Sequence, residues 1–120
     1  VSVVVDTSVW VDHFKRPNAR LMGLLVTDLV LIHPMVVAEV ACGTPPDRST
    51  TIRDLSLLKA CHSASVDETL DFIEREGLYG QGCGLIDLMI LASTLMTPGA
   101  RLWTLDRRLA LLTARFKVAW

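Results

Sequence analysis

Three carboxylates stand alone in the most apolar stretches of this chain, and a fourth closes an apolar run. Asp6 is the only charged residue from Val1 to Val11, Glu39 the only one from Leu29 to Cys42, and Asp87 the only one from Leu85 to Met96. Asp106 directly follows the run Leu102-Trp103-Thr104-Leu105. An unpaired carboxylate in apolar surroundings costs on the order of several kcal/mol unless it is paired or bound to a cation. The three segments that isolate an acid supply no lysine or arginine of their own. If the four acids meet, they repel one another until cations neutralise them. Oxygen ligands without thiolates or a histidine cluster select Mg²⁺ or Mn²⁺. Such a site suits phosphodiester hydrolysis, because the metal acidifies a water and steadies the leaving oxygen.

Simpler uses compete for each acid. Asp6 and Asp106 fall where a strand turns into a helix, and aspartate is a favoured N-cap. Asp87 falls in the first turn of its helix, where the macrodipole favours negative charge. Glu39 lies mid-helix, outside the reach of either effect, which leaves a salt bridge to a distant arginine as its alternative.

The elements that would position these acids alternate between strand and helix. Extended patterns cover Ser2–Val5, Leu29–Ile32, Leu102–Leu105 and Lys117–Ala119, with a weaker one at His62–Ser65. Helical patterns cover Thr7–Phe14, Asn18–Asp28, Val36–Ala41 opened by Pro34, Ser49–Ala60, Asp67–Glu76, Leu85–Met96 and Arg107–Ala114. This order implies a parallel α/β sheet covered on both faces, with ligands outside the carboxyl ends of its strands. Asp6 and Asp106 then face the same side, and the helix start bearing Asp87 can face it too.

Composition narrows the function classes. At 120 residues with 51% hydrophobic and 21% charged residues, one domain with a dense core is expected. A mean hydropathy of +0.41 points to a doubly covered sheet or a large partner surface. Leu29–Cys42, the longest apolar candidate, contains His33, Pro34 and Glu39 and is too short for a membrane span. The opening VSVVVD lacks a basic leader and reads as a strand, so cytoplasm is expected. Cys42, Cys61 and Cys83 are widely spaced and odd in number, which argues against a disulfide framework or a zinc site. The net charge of −1 carries no nucleic-acid signal, although the chain from Gln81 onward has five Arg and Lys against two Asp. Gly80-Gln81-Gly82-Cys83-Gly84 lacks phosphate-loop spacing and reads as a flexible entry to the following helix. His13, His33 and His62 show no ligand or triad spacing, and Trp10, Trp103 and Trp120 read as core or interface residues.

The runs VVVDTSVWVDHF, HPMVVAEVACG, GCGLIDLMILAS and RLWTLDRRL, in this order, resemble the four motif regions of PIN-domain proteins. More narrowly, they resemble the VapC-type ribonuclease toxins of bacterial toxin–antitoxin pairs. The likeness runs through nearly the whole chain. It implies a single PIN-like domain over residues 1–120, a three-layer sandwich around a five-stranded parallel sheet, and metal-binding acids at Asp6, Glu39, Asp87 and Asp106. It also implies an RNA substrate, Mg²⁺ with Mn²⁺ as an alternative, a cognate antitoxin and a homodimer. Ser8 matches a hydroxyl of the first motif, placed to orient Asp6 or a water, or else to bond the helix backbone. Thr104, two residues before the last acid, is expected to support the site. Arg107 and Arg108 are candidates for RNA phosphates or for a solvated helix surface. Leu109 stands where some relatives carry a further polar group.

Two other classes bear on these acids. A receiver or aspartyl-phosphate phosphatase also places an aspartate after its first strand. The phosphatase would want an acid where Ser8 stands, and the receiver a lysine after a late strand. Glu39 has no place in either. A PIN-like module that binds without cleaving is the non-enzymatic alternative.

Overall fold

The computed structural model describes residues 1–120. Strand β1 (Ser2–Val5) is central, with β2 (Val30–Leu31) on one side and β3 (Ala100–Trp103) on the other, all parallel. Val3 pairs with Val30 and Arg101, and Val5 with Trp103. Neighbouring strand residues point to opposite faces, yet Val3, Val4 and Val5 are all fully buried. Both faces of the sheet are therefore covered by helices, as in a three-layer arrangement.

Seven helices do the covering. They are α1 (Thr7–Lys15), α2 (Ala19–Val26), α3 (Pro34–Ala41), α4 (Arg48–Ser56), α5 (Val66–Glu76), α6 (Leu85–Leu95) and α7 (Arg107–Arg115). Their starts follow capping chemistry. Asn18 accepts from the Leu21 amide, and Ser65 with Glu68 forms a reciprocal capping box. His33 caps α3 through Nδ1, and Pro34 occupies the first turn, where its missing N–H costs nothing. Helix α6 is buried from Leu88 through Thr94, as befits a helix enclosed by neighbours.

The sheet has three strands where five were expected. Each outer position is reduced to a single parallel bridge, Ile32 with Ala60 and Leu102 with Ala119. The stretch His62–Ser65 is not a strand because hydroxyls on and just after α6 take its backbone donors. The His62 amide donates to Thr97 Oγ1 at 2.9 Å and the Ala64 amide to Ser93 Oγ at 2.9 Å. The edge contact falls earlier, with the Ile32 amide donating to Lys59 O and the Cys61 amide to Ile32 O. Helix α4 accordingly ends at Ser56 and not near Ala60. At the other edge Lys117 takes a left-handed φ of 59°, so an extended run cannot begin before Val118.

Strand β3 is displaced from the expected Leu102–Leu105 to Ala100–Trp103. The Leu105 amide donates to Ser8 Oγ and the Asp106 amide to Thr104 Oγ1, both at 3.0 Å. Side-chain hydroxyls have replaced the ladder there, at the end of the sheet where the acids gather.

Candidate active site

The chain leaves β1 for β2 on one side and later returns to β3 on the other. A crevice opens at the carboxyl end of β1, where the strand order reverses. Asp6 sits in that crevice, 5% exposed, as the N-cap of α1. Its Oδ2 accepts from Ser8 Oγ at 2.6 Å, Thr104 Oγ1 at 2.9 Å and the Ser8 amide at 3.3 Å. The cap bond is the longest of the three, so the two hydroxyls hold the carboxylate more firmly than the helix end does. Each hydroxyl has one proton to give. With both spent on Asp6, Ser8 Oγ and Thr104 Oγ1 accept from the Leu105 and Asp106 amides. The network joins residues 98 apart in sequence.

Asp106 caps α7, its Oδ1 accepting from the Leu109 amide at 2.9 Å, and it is otherwise exposed. Leu109 itself is fully buried, so its side chain belongs to the core and only its N–H reaches the site. Glu39, half-buried on α3, accepts from Thr7 Oγ1 at 2.6 Å and forms no salt bridge. Asp87, half-buried near the start of α6, reaches the Gly84 amide only at 3.4 Å. Gly84 has no side chain to return the bond, so this cap is weak.

Electrostatics ties the four together. Burial pushes the Asp87 carboxyl above its ordinary range, and the charges of Asp6, Asp106 and Glu39 push it further, against the Gly84 bond. The only ion pairs of the molecule join Arg53 to Asp54 and both Arg75 and Arg115 to Glu76. None reaches the cleft. As the side chains stand, no three acids, histidines or cysteines converge closely enough to enclose one ion. The oxygen-only donors and the unneutralised charge felt by Asp87 nonetheless fit hard divalent cations, which would draw the carboxylates inward.

The six sequence-expected site residues lie around this corner, without their carboxylates converging on one point. Asp6, Ser8, Thr104 and Asp106 are linked through hydrogen bonds, and Glu39 and Asp87 through Thr7 and shared charge. Sequence reasoning missed Thr7, although a hydroxyl beside the first acid was the available signal. It also missed Lys15, which lines a 400 Å³ cleft with Glu39, Phe14 and the Pro45-Pro46 turn. No spacing rule connects Lys15 to Glu39, because the meeting of α1 and α3 is tertiary.

The histidines stay outside the cluster. Buried His33 donates through Nε2 to Ser93 Oγ at 2.9 Å, a tautomer assigned because Nδ1 accepts from the Met35 amide. Burial lowers its pKa. The cysteines are all free, and burial pushes the Cys61 thiol up to about 11.

A three-layer α/β fold with acids gathered at the carboxyl ends of a parallel sheet defines the class, and the chain belongs to the PIN-domain family, whose model matches residues 3–114. Among curated proteins it is similar to Ribonuclease VapC32 of Mycobacterium tuberculosis, in the CDC 1551 / Oshkosh and ATCC 25618 / H37Rv strains. Identity to each is 38% over 117 residues, covering 98% of this chain and 94% of the relative.

Proposed function

We propose that this chain is a metal-dependent endoribonuclease and the toxin of a toxin–antitoxin pair. The observation that carries this reading is the placing of Asp6, Glu39, Asp87 and Asp106 around one end of the sheet with no cationic side chain paired to any of them. The likeness to Ribonuclease VapC32 along nearly the whole chain supports RNA as the substrate. Asp6, Glu39, Asp87 and Asp106 would hold the cation, with Mg²⁺ the first choice and Mn²⁺ the second. When bound, the metal supplies a nucleophile at neutral pH and charge for the leaving oxygen. The chain's own part is to aim the acids. Ser8 and Thr104 fix Oδ2 of Asp6 and leave Oδ1 without a hydrogen bond, while Thr7 steadies Glu39.

The partners follow from the same reading. No helix is long and apolar enough to cross a membrane. Val26, Leu57, Leu111 and Tyr79 are each more than two-thirds exposed, apolar surface suited to an antitoxin and to a second copy of the chain. Cytoplasmic RNA is then the substrate pool.

The test incubates purified protein with total cellular RNA, with and without Mg²⁺ or Mn²⁺, and maps the ends. No histidine lies among the acids to activate a ribose 2′-hydroxyl, so products should carry a 5′-phosphate and a 3′-hydroxyl. A 2′,3′-cyclic phosphate would overturn the mechanism. Metal-independent cleavage would overturn the role of the acids.

A further inference from the structure

Gly82 lies in the loop before α6 with a φ of 85°, a conformation that side chains rarely adopt. A β-carbon placed on it would stand 2.6 Å from Cδ of Arg108, 2.7 Å from Nη1 and 2.8 Å from Nε. The arginine therefore packs against the loop at Gly82, and a β-carbon there would displace the end of its side chain. This seat is beside the acid cleft. The neighbouring Cys83 feels the charges of Asp87 and Asp106 and, in the opposite sense, that of Arg108.

Arg108 is nevertheless not a counter-charge for the acids. Its side chain makes no salt bridge and no hydrogen bond. Its side chain is exposed. A guanidinium resting against Gly82, unpaired and facing solvent near the acids, is suited to a planar bidentate anion such as a phosphate. Arg107, one residue earlier on the same helix, has no such seat.

We propose that Arg108 is a phosphate-binding residue of this site, seated by Gly82 to take an RNA phosphate beside the one being cleaved. The inference rests on the ribonuclease reading and adds to it the direction in which the strand leaves the acids, over the Gly80–Gly84 loop. It also gives that loop a role that its spacing did not suggest. The loop binds no phosphate itself but positions a side chain that does.

The test measures binding of a fluorescent single-stranded oligoribonucleotide by anisotropy, with Mg²⁺, in an Asp6→Asn background that prevents cleavage. Salt is varied from about 50 to about 200 mM. Losing one phosphate contact on single-stranded RNA lowers the slope of log affinity against log salt by about 0.7, so the affinity lost over that range shrinks by about threefold. Arg108→Gln should show this loss, and Gly82→Ala should show it too, although its arginine is intact. Arg108→Lys should keep the slope, since the charge remains. In the cleaving protein, Arg108→Gln should raise KM more than it lowers kcat. An unchanged slope in Arg108→Gln, with RNA still bound, would overturn the inference and leave the ribonuclease reading standing. Absence of RNA binding by the parent would overturn both.

Discussion

On the sheet side of the cleft, the Asp6 carboxylate is locked by a network in which each hydroxyl proton is used and each hydroxyl oxygen accepts a backbone amide, and the Asp106 carboxylate is held by its cap bond from the Leu109 amide at 2.9 Å. On the helix side, Glu39 has one side-chain partner and Asp87 a single bond at 3.4 Å. The sheet side is fixed before any ligand arrives. On the proposed reading, the helix side would reach its final positions only with a cation to offset the mutual repulsion of its acids. Preorganisation of one half reduces the ordering cost of binding, and the looser half lets the ion enter.

The largest expected effect comes from the acids themselves. Asp6→Asn, Glu39→Gln, Asp87→Asn and Asp106→Asn should each lower turnover by orders of magnitude while circular dichroism shows the fold retained. Each change removes charge and little volume. In EDTA, Asp87→Asn should raise the melting temperature, since it relieves repulsion felt at a half-buried site. Full activity in Glu39→Gln would remove Glu39 from the site.

The hydroxyl lock should come next. Ser8→Ala and Thr104→Val should each cost about 10–100-fold in metal affinity or activity, the range expected for groups that orient ligands. Each should also cost about 1 kcal/mol of stability. The two share Asp6 Oδ2, so the double variant should lose less than the sum of the single losses. Additive losses would mean that the hydroxyls act separately. Thr7→Val, which frees Glu39 on the loose side, should fall at the low end of the same range.

The smallest effects are those of pH on the metal-free protein. His33 has a folded pKa below its ordinary 6.5, so the unfolded chain binds the proton first as pH falls. Stability is then complete above 6.5 and declines below it. Asp87 has the opposite sign. Its pKa is raised above 3.8, so the folded state holds its proton to higher pH and stability is gained as pH falls through the raised value. Melting curves across this range should show the Asp87 gain vanish in Asp87→Asn, and saturating Mg²⁺ should suppress it in the parent. A gain that persisted in Asp87→Asn would assign it to another group.

The sequence made the tight side legible and the loose side only partly so. Asp6, Ser8, Thr104 and Asp106 fall within local motifs at strand ends, where two-residue spacings become contacts directly. Glu39 was legible because it lacked a local explanation. Its partner Thr7 and its neighbour Lys15 depend on how α1 packs against α3, which periodicity does not encode. The same limit applies to the sheet. Val3–Val5 announced a doubly buried strand, whereas His62–Ser65 looked extended yet lost backbone donors to Thr97 and Ser93, far along the chain.

The pairing of the first strand with the last has a further consequence in time. One of the hydroxyls that fix Asp6 belongs to a residue made 98 positions later. At about 5–20 residues per second the interval is about 5–20 s. Throughout it β1 lacks β3, and the crevice has only one wall. A nascent chain is therefore expected to be catalytically silent until β3 and Thr104 have been made. Stalled chains ending before Thr104 should consequently show no RNA cleavage even with saturating Mg²⁺.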